Sequence, residues 1–475
     1  MSGHLIRIIA TYEMRTLLRS WFFRIFAAGA VFGFTIFNIA MNVESSGAPW
    51  IYRALPASIP YANLIILNLG QAIVAVFLAS EFLKQDRKND SVEVIYARSM
   101  SNAQYIFGKT LGILAVFLVL NLIVLCIGVG FSFLNSSTAH SLLSYLAYPL
   151  LISLPTLVFV LGLSFFVMVI VKNQAVTFIL LIGYIALTIF YLNQKAYHIF
   201  DYIAYQVPMM YSSITGFADF KEILMHRGIY LVLGIGFILL TISRLNRLPQ
   251  TPEFSSWPLY LGLVFLLSGS LMIYSYLNVK NSAHSFRKQV IELNNRYLAC
   301  PRVVVDSCRL DVDHRGSEIS VKAILIVTNR NNFPVDSLVF SLNPRLEIQQ
   351  VSIKNLKTTN TRDKQIITIH PEMPLVPGGS LEIRMQYSGG IDENIAFLDK
   401  GVEQFDANYN EEVFTMRKRY AFLEKNYVCL TAGSFWYPVS GTGYASLSPM
   451  KCNPDFTYFF LRVQTSPNLT AVSQG

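Results

Sequence analysis

The sequence predicts a polytopic α-helical membrane protein with an all-β, sandwich-like domain at its C-terminal end. Three observations carry that prediction. Only 14% of the 475 residues are charged and 53% are hydrophobic, with a mean hydropathy of +0.43, whereas a soluble chain of this length is about a quarter charged. The charge deficit lies almost wholly before Leu277, where apolar runs follow one another in series. Beyond residue 301 the apolar residues recur at every second place, the period of strands with one buried face.

Seven apolar runs define the spans: 25–41, 62–80, 111–134, 146–171, 175–192, 229–243 and 257–277. Most reach the roughly 17–25 residues that a bilayer helix requires. The sixth is short and must draw on flanking residues. None of the seven contains Asp, Glu, Lys or Arg, which argues against an ion- or proton-driven path through them.

Basic residues set the orientation. Arg7, Arg15, Arg19, Arg24, Lys84, Arg87, Lys88, Arg98, Lys109, Lys172, Arg244 and Arg247 fall on one side, against Arg53, Lys195, Lys221 and Arg227 on the other. The richer side is expected in the cytoplasm, with the N-terminus. Seven spans then place the C-terminal domain outside a cytoplasmic (inner) membrane. The formal charge of +9 is mostly this topology signal and gives no reason to expect a nucleic-acid partner. No cleavable signal peptide is evident behind the first span.

Residues 1–20 form an amphipathic segment. Arg7, Thr11, Arg15 and Arg19 recur every four residues, with Leu5, Ile8, Ile9 and Tyr12 on the other side. Such a helix lies in the headgroup plane against membrane lipid, or else it is the cytoplasmic end of a longer first span. Residues 21–250 hold six spans, and 251–277 the seventh. The connection 193–228 is rich in aromatics (Tyr197, Phe200, Tyr202, Tyr205, Tyr211, Phe217, Phe220) and broken by Pro208. It predicts short interfacial or re-entrant helices on the outer side.

A polar helical linker, 278–300, leads to the β domain, 301–475. Ile319, Val321, Ala323, Leu325 and Val327 alternate with polar neighbours, as do Leu338, Phe340 and Leu342, and Leu381, Ile383, Met385 and Tyr387. Turn signals separate them at Asn331-Asn332, Pro344, Pro377-Gly378-Gly379 and Gly389-Gly390. A mostly antiparallel sandwich follows. Cys300, Cys308, Cys429 and Cys452 fall in this outer region, where disulfides persist. Pairing by proximity joins 300 with 308 and 429 with 452; otherwise all four are free thiols.

Ala103 followed by Gly108-Lys109-Thr110 has the letter pattern of a phosphate-binding loop. The context excludes that reading. No strand precedes it, and Gln104, Tyr105, Ile106 and Phe107 are bulky where glycines are needed. Ser101-Asn102-Ala103-Gln104 instead fits a capping box that starts a helix. Gly108 and Lys109 then lie inside that helix with their N–H groups already bonded, and Lys109 is expected to snorkel at the foot of span three.

The segment 81–110 is the main charged island of the membrane half, with Asp86, Arg87, Lys88, Glu93 and Arg98 around a short predicted helix, 91–97. By itself it is a solvated loop or a contact surface. With the capped helix and the Gly-Lys after it, it resembles the coupling helix of ABC-2-type transporter permeases, most closely the gliding-type members. The amphipathic N-terminal helix and the long outer insertion resemble that family too. The likeness covers about 1–250, and the seventh span departs from the family's six-helix core. It implies an exporter subunit whose ATP is bound by a separate cytoplasmic ABC ATPase subunit. That subunit would press on Asp86, Arg87, Lys88, Glu93 and Arg98, and the permease would pair as a homodimer or with a related subunit.

VDSLVFSLNPRLEIQQVSI, LVPGGSLEIRMQYSGGI, RYAFLEKNYVCLTAGSFWYPV and DFTYFFLRVQTSPNLTAVSQG resemble, in order, the N-terminal β domain of M1-family zinc aminopeptidases, over about 305–475. The zinc and its His-Glu-x-x-His helix belong to that family's next domain, and no such motif occurs here. His4, His140, His198, His226, His284, His314 and His370 are scattered without ligand spacing. The expectation is therefore no catalytic residues, no metal and no cofactor on this chain. The alternative is the membrane-anchored front half of a zinc aminopeptidase whose catalytic domain is missing or separate.

Overall fold

The structure is a computed structural model that describes residues 3–42, 51–52, 55–88, 100–135, 142–193, 195–245, 256–403, 409–411, 414–416, 419–442 and 456–473. The chain divides into two compact units, Met1–Lys280 with Asn408–Arg417, and Asn281–Ala407 with Lys418–Gly475.

The first unit is helical. Among the described residues of the chain, seven helices are long and apolar enough to cross a membrane. Helix α1 (Gly3–Arg19) is separated from α2 (Trp21–Asn42) by Ser20, and α3 (Ser58–Lys88) and α4 (Asn102–Asn135) follow. Helix α5 (Leu142–Tyr148) passes through a π-helical turn, Pro149–Ser153, into α6 (Leu154–Val171). Lys172 then adopts a left-handed conformation, and Asn173 accepts the N–H of Val176 at 3.2 Å to cap α7 (Gln174–Leu187). Two residues thus reverse the chain between spans four and five. Helices α8 (Phe220–Arg244) and α9 (Ser256–Tyr297) complete the set.

The capping box forms. Gln104 N donates to Ser101 Oγ at 3.2 Å, and Ser101 N donates to Gln104 Oε1 at 2.9 Å. Gly108 and Lys109 therefore sit well inside α4, with their amides committed to the helix. Their surroundings give these residues another role. A Cβ added at Gly108 would lie 2.6 Å from Cβ of Ile9, and one at Gly112 would lie 2.7 Å from the carbonyl oxygen of Ala10. The G-x-x-x-G spacing lets α1 lie directly on the α4 backbone, as small residues do where helices approach closely. Lys109 does not snorkel. It is buried and pairs with Glu13 of α1 at 3.4 Å, while Arg7, Arg15 and Arg19 remain exposed.

This contact reverses a familiar sign. Ala exceeds Gly in helix propensity by about 1 kcal/mol, yet overpacking a tight contact costs about 1–3 kcal/mol. Gly112→Ala is therefore expected to lower the melting temperature of the detergent-solubilised protein, and a rise would refute the α1–α4 packing.

The sixth span differs from expectation. It starts at Phe220, nine residues before the apolar run, so Lys221, Glu222, His226 and Arg227 are helical and the connection shrinks to 193–219. Hydropathy missed this stretch because two of its charges are satisfied internally: Glu222 pairs with Lys280 at 2.7 Å, and Arg227 makes four hydrogen bonds into the bundle. The expectation of charge-free spans fails for the same reason. Among its described residues the connection holds no re-entrant helix either. Its described part contains one 3₁₀ turn, Ala196–His198, and two-residue strands β1 (Tyr211–Ser212) and β2 (Gly216–Phe217). Positive φ angles at Ala196, Tyr197, His198 and Ala204 prevent helix continuation.

The second unit is a β sandwich. One sheet has the order β15-β3-β4-β9-β6, from β15 (Tyr458–Gln464), β3 (Val304–Arg315), β4 (Glu318–Thr328), β9 (Ser380–Gly389) and β6 (Leu346–Ile353). The other has the order β14-β5-β8-β7, from β14 (Val439–Ser440), β5 (Leu338–Ser341), β8 (Ile366–Pro371) and β7 (Thr358–Asp363). Every pairing in these sheets is antiparallel except β15 with β3. The predicted alternation is realised on β4, where Ile319, Val321, Ala323, Leu325 and Val327 are buried and share a core with Leu338, Phe340, Ile367 and Ile369 of the opposing sheet. Two short hairpins, β10–β11 (Tyr409–Glu411, Phe414–Met416) and β12–β13 (Ala421–Leu423, Val428–Leu430), complete the described strands of the chain.

The linker is the C-terminal part of α9, and it packs rather than hangs free. Val290 joins a small core with Ile395, Leu398, Phe435 and Val439. Arg287, 1% exposed, donates to the carbonyls of Asn394 at 2.5 Å, Ala396 at 2.9 Å, Phe397 at 3.0 Å and Lys400 at 2.8 Å. One side chain thus satisfies a loop that has few backbone partners of its own.

The cysteine pairing is corrected. Cys300 and Cys308 are both free. Their free state matches the alternative of free thiols. Cys429 is also free, and Cys452 lies outside the described residues.

Candidate functional site

The site grows from polar residues that the sequence scatters singly through apolar spans. Asn68 and Gln71 lie on α3, Asn121 on α4, Ser153 on the π turn, Thr156 on α6 and Arg227 on α8, and all six are buried. Ser153 Oγ donates to Asn121 Oδ1 at 2.6 Å, Asn121 Nδ2 to Gln71 Oε1 at 2.8 Å, and Gln71 Nε2 to Asn68 Oδ1 at 2.7 Å. Asn68 Nδ2 donates to Thr156 Oγ1 at 3.0 Å, which also accepts from Arg227 Nη2 at 2.7 Å. A continuous polar seam therefore crosses the helical unit.

Arg227 anchors one end, for a reason visible in the local sequence. Pro155 has no N–H, so the carbonyl one turn back, that of Leu151, lacks its helical donor. Arg227 Nε supplies one at 2.7 Å, while Nη2 reaches the Ile152 carbonyl at 2.9 Å and Nη1 that of Tyr202 at 3.0 Å. The planar guanidinium, with five fixed donors, suits several carbonyls where a lysine would not.

The same elements hold the irregular connection. Asn68 Nδ2 donates to the Ile203 carbonyl at 2.5 Å, Thr156 Oγ1 to that of Tyr202 at 2.7 Å, and Tyr61 Oη to that of Val207 at 3.2 Å. Tyr230 Oη bonds the Ile199 carbonyl, and His226 Nε2 bonds that of His198 at 2.9 Å. Asp201, Tyr202, Ile203 and Ala204 are buried. Buried non-helical backbone needs protein groups to satisfy it; here side chains of three helices do so. Burial pushes the Asp201 carboxyl above the ordinary aspartate range, opposed by the Gln206 and Tyr205 backbone N–H groups and by the Arg227 charge.

The sequence-predicted site residues fare differently. Asp86, Arg87 and Lys88 fall in the last turn of α3, but their side chains, and Glu93 and Arg98 entirely, lie outside the described residues. What the structure adds is the Glu13–Lys109 pair on the helix that follows. Sequence reasoning missed Arg227 by counting it as a loop charge. Intramembrane Asn and Gln, which glue helices together, were the available signal for the seam. Among the described residues, no group of three His, Cys, Asp or Glu side chains is placed to hold a metal.

No family model matches the chain, and no curated protein is similar to it. Among solved structures, the M1 zinc metallopeptidase from Deinococcus radiodurans is similar at 17% identity, over 34% of this chain and 32% of that one, with a TM-score of 0.23. A two-domain M1 zinc metallopeptidase mutant bound to L-tryptophan, and one bound to L-arginine, are similar to the same extent. The chain thus spans about a third of the length of the solved structures it matches. A TM-score of 0.23 fixes neither the fold nor the activity of this chain. What stands is an apolar helical unit with seven helices fit to cross a membrane, and a separate β sandwich.

Proposed function

We propose that the chain is the permease subunit of an ABC-2-type transporter, an exporter in a cytoplasmic (inner) membrane driven by a separate ABC ATPase. Its N-terminus is cytoplasmic, and its M1-peptidase-like β domain is extracytoplasmic and non-catalytic. Two such subunits, identical or related, pair to line the path.

The observation that supports this reading is the clamp between α1 and the start of α4. Two glycines and a buried ion pair join these helices into one body, immediately after the charged segment 81–99. A push on that segment then moves two helices together rather than bending one. Within the bundle, the polar seam ties α3, α4, α6 and α8 to the buried stretch 201–204 of the connection, so helix tilting and movement of that stretch are linked.

The test is co-purification. Purified from its native membrane, the chain is expected to carry an ATP-hydrolysing subunit. The double reversal Glu93→Lys with Arg98→Glu is expected to reduce the bound subunit about tenfold, which corresponds to roughly 1.4 kcal/mol. An undiminished association, or nucleotide turnover by the purified chain alone, removes the reading.

A further inference from the structure

The four sheet edges of the β sandwich are not treated alike. Edge strand β7 is Thr-Thr-Asn-Thr-Arg-Asp, polar throughout. Edge strand β6 carries an irregularity between Ile348 and Gln350, and β14 is only two residues long. Polar side chains, bulges and shortness are the ordinary means of preventing edge-to-edge pairing. Edge strand β15 is neither short nor bulged, and Arg462 and Gln464 are its only strongly polar residues. Its seven residues, Tyr-Phe-Phe-Leu-Arg-Val-Gln, pair with β3 in unbroken register, and contain no proline or lysine.

Both faces of β15 are exposed as well. Phe459, Leu461 and Val463 adjoin Cys308, Leu310 and Val312 of β3, which are buried in the sandwich core. The core face therefore continues onto β15, yet Phe459 remains 50% exposed. On the other face Tyr458 is 77% and Phe460 58% exposed.

We propose that β15 is a dimerisation edge, occupied by β15 of a second copy of this chain in antiparallel register about Leu461. The strand is complementary to itself in that arrangement. Leu461 faces Leu461 of the other copy, Phe459 faces Val463, Tyr458 faces Gln464, and Phe460 faces Arg462, twice each by symmetry. The only charge on the strand thus meets an aromatic ring, a favourable pairing, and never its own kind. Parallel in-register pairing would instead set Arg462 beside Arg462. A two-fold axis through Leu461 also keeps faces matched, so the apolar rows of the two copies form one surface. The contact is isologous and closes after two copies, joining the two five-stranded sheets into one continuous sheet. The inference stands on the β sandwich alone and does not depend on the transport reading.

The test uses the full chain in detergent micelles, with Leu461→Cys oxidised under mild conditions and the cross-links mapped by peptide mass. The unsubstituted chain serves as control for the native cysteines. A disulfide joining position 461 of the two copies is expected as the major new product. Phe460→Cys and Arg462→Cys should each give no self-product, but should cross-link when the two variants are co-expressed. Leu461→Lys should abolish the 460–462 product. Phe460 and Arg462 are surface-exposed, so the co-expression arm remains decisive if Leu461→Cys folds poorly. An introduced thiol at position 461 that stays free, or that links to a different position or polypeptide, overturns the proposal. So does a 460–462 product that survives Leu461→Lys.

Discussion

Arg227→Met is expected to destabilise the helical unit by about 3–5 kcal/mol, more than any other single change in the membrane half. The guanidinium supplies donors to the carbonyls of Leu151, Ile152 and Tyr202 and to the Thr156 hydroxyl. Interhelical hydrogen bonds in membrane proteins average only about 0.6 kcal/mol, so summing four ordinary bonds would predict less. The larger figure follows because the substitution removes four donors at once, leaving the Ile152 and Tyr202 carbonyls to share the single Thr156 hydroxyl proton. Pro155 has already removed the helical donor of Leu151, and each unsatisfied buried group costs about 1–3 kcal/mol. The loss corresponds to a fall of about 10 °C in melting temperature for a unit of this size, measurable by fluorescence-detected size exclusion after heating. Arg227→Lys retains charge and three donors but not the planar fork, and should fall roughly midway. A loss below about 1 kcal/mol for Arg227→Met would mean that the seam does not hold the bundle together.

Lys109→Met ranks second. Glu13 would remain inside the α1–α4 contact without its counter-charge, and breaking a buried pair from one side costs about 3–5 kcal/mol. Both members have side chains under one-tenth exposed, at 6% and 9%, so solvent does not screen the loss. Replacing both, as Glu13→Leu with Lys109→Met, is expected to restore most of the stability, because a well-packed apolar pair of similar volume often matches a buried ion pair. The double-mutant cycle distinguishes this arrangement from two independent surface charges, for which the effects simply add. In the transport reading the apolar pair should also preserve ATPase association, since it keeps α1 seated, whereas Lys109→Met alone should weaken it.

The sequence revealed features that are local or periodic. Uncharged runs of helix length marked the spans, alternation from Ile319 to Val327 marked a strand, and Ser101 with Gln104 marked a helix start. Each signal lies within one element, where propensity and pattern act together. Features made between distant elements were not legible. Glu13 and Lys109 are far apart in sequence, and nothing local pairs them. Arg227 resembled a loop charge because hydropathy assigns its cost without knowing that Leu151, Ile152, Thr156 and Tyr202 satisfy it. Proximity of Cys300 and Cys308 suggested a bond, but both thiols are free, because nearness in sequence says nothing of how the side chains are aimed. The letters Gly108-Lys109 lie inside a helix, as the capping box at Ser101 and Gln104 indicated. Their actual use, a bare backbone strip for α1 beside one buried cation, became evident only with the partner helix in place.

The free thiol of Cys308 supplies a built-in clock. It lies 1% exposed on the inner side of β3, and burial pushes it up to about 12. Alkylating reagents attack the thiolate, so in the closed sandwich this sulfur is protected twice, by access and by ionisation. Its modification rate therefore counts transient openings of the sheet. Cys300, exposed on the same polypeptide, reports reagent delivery in the same sample, and the ratio of the two rates measures how often the sandwich breathes.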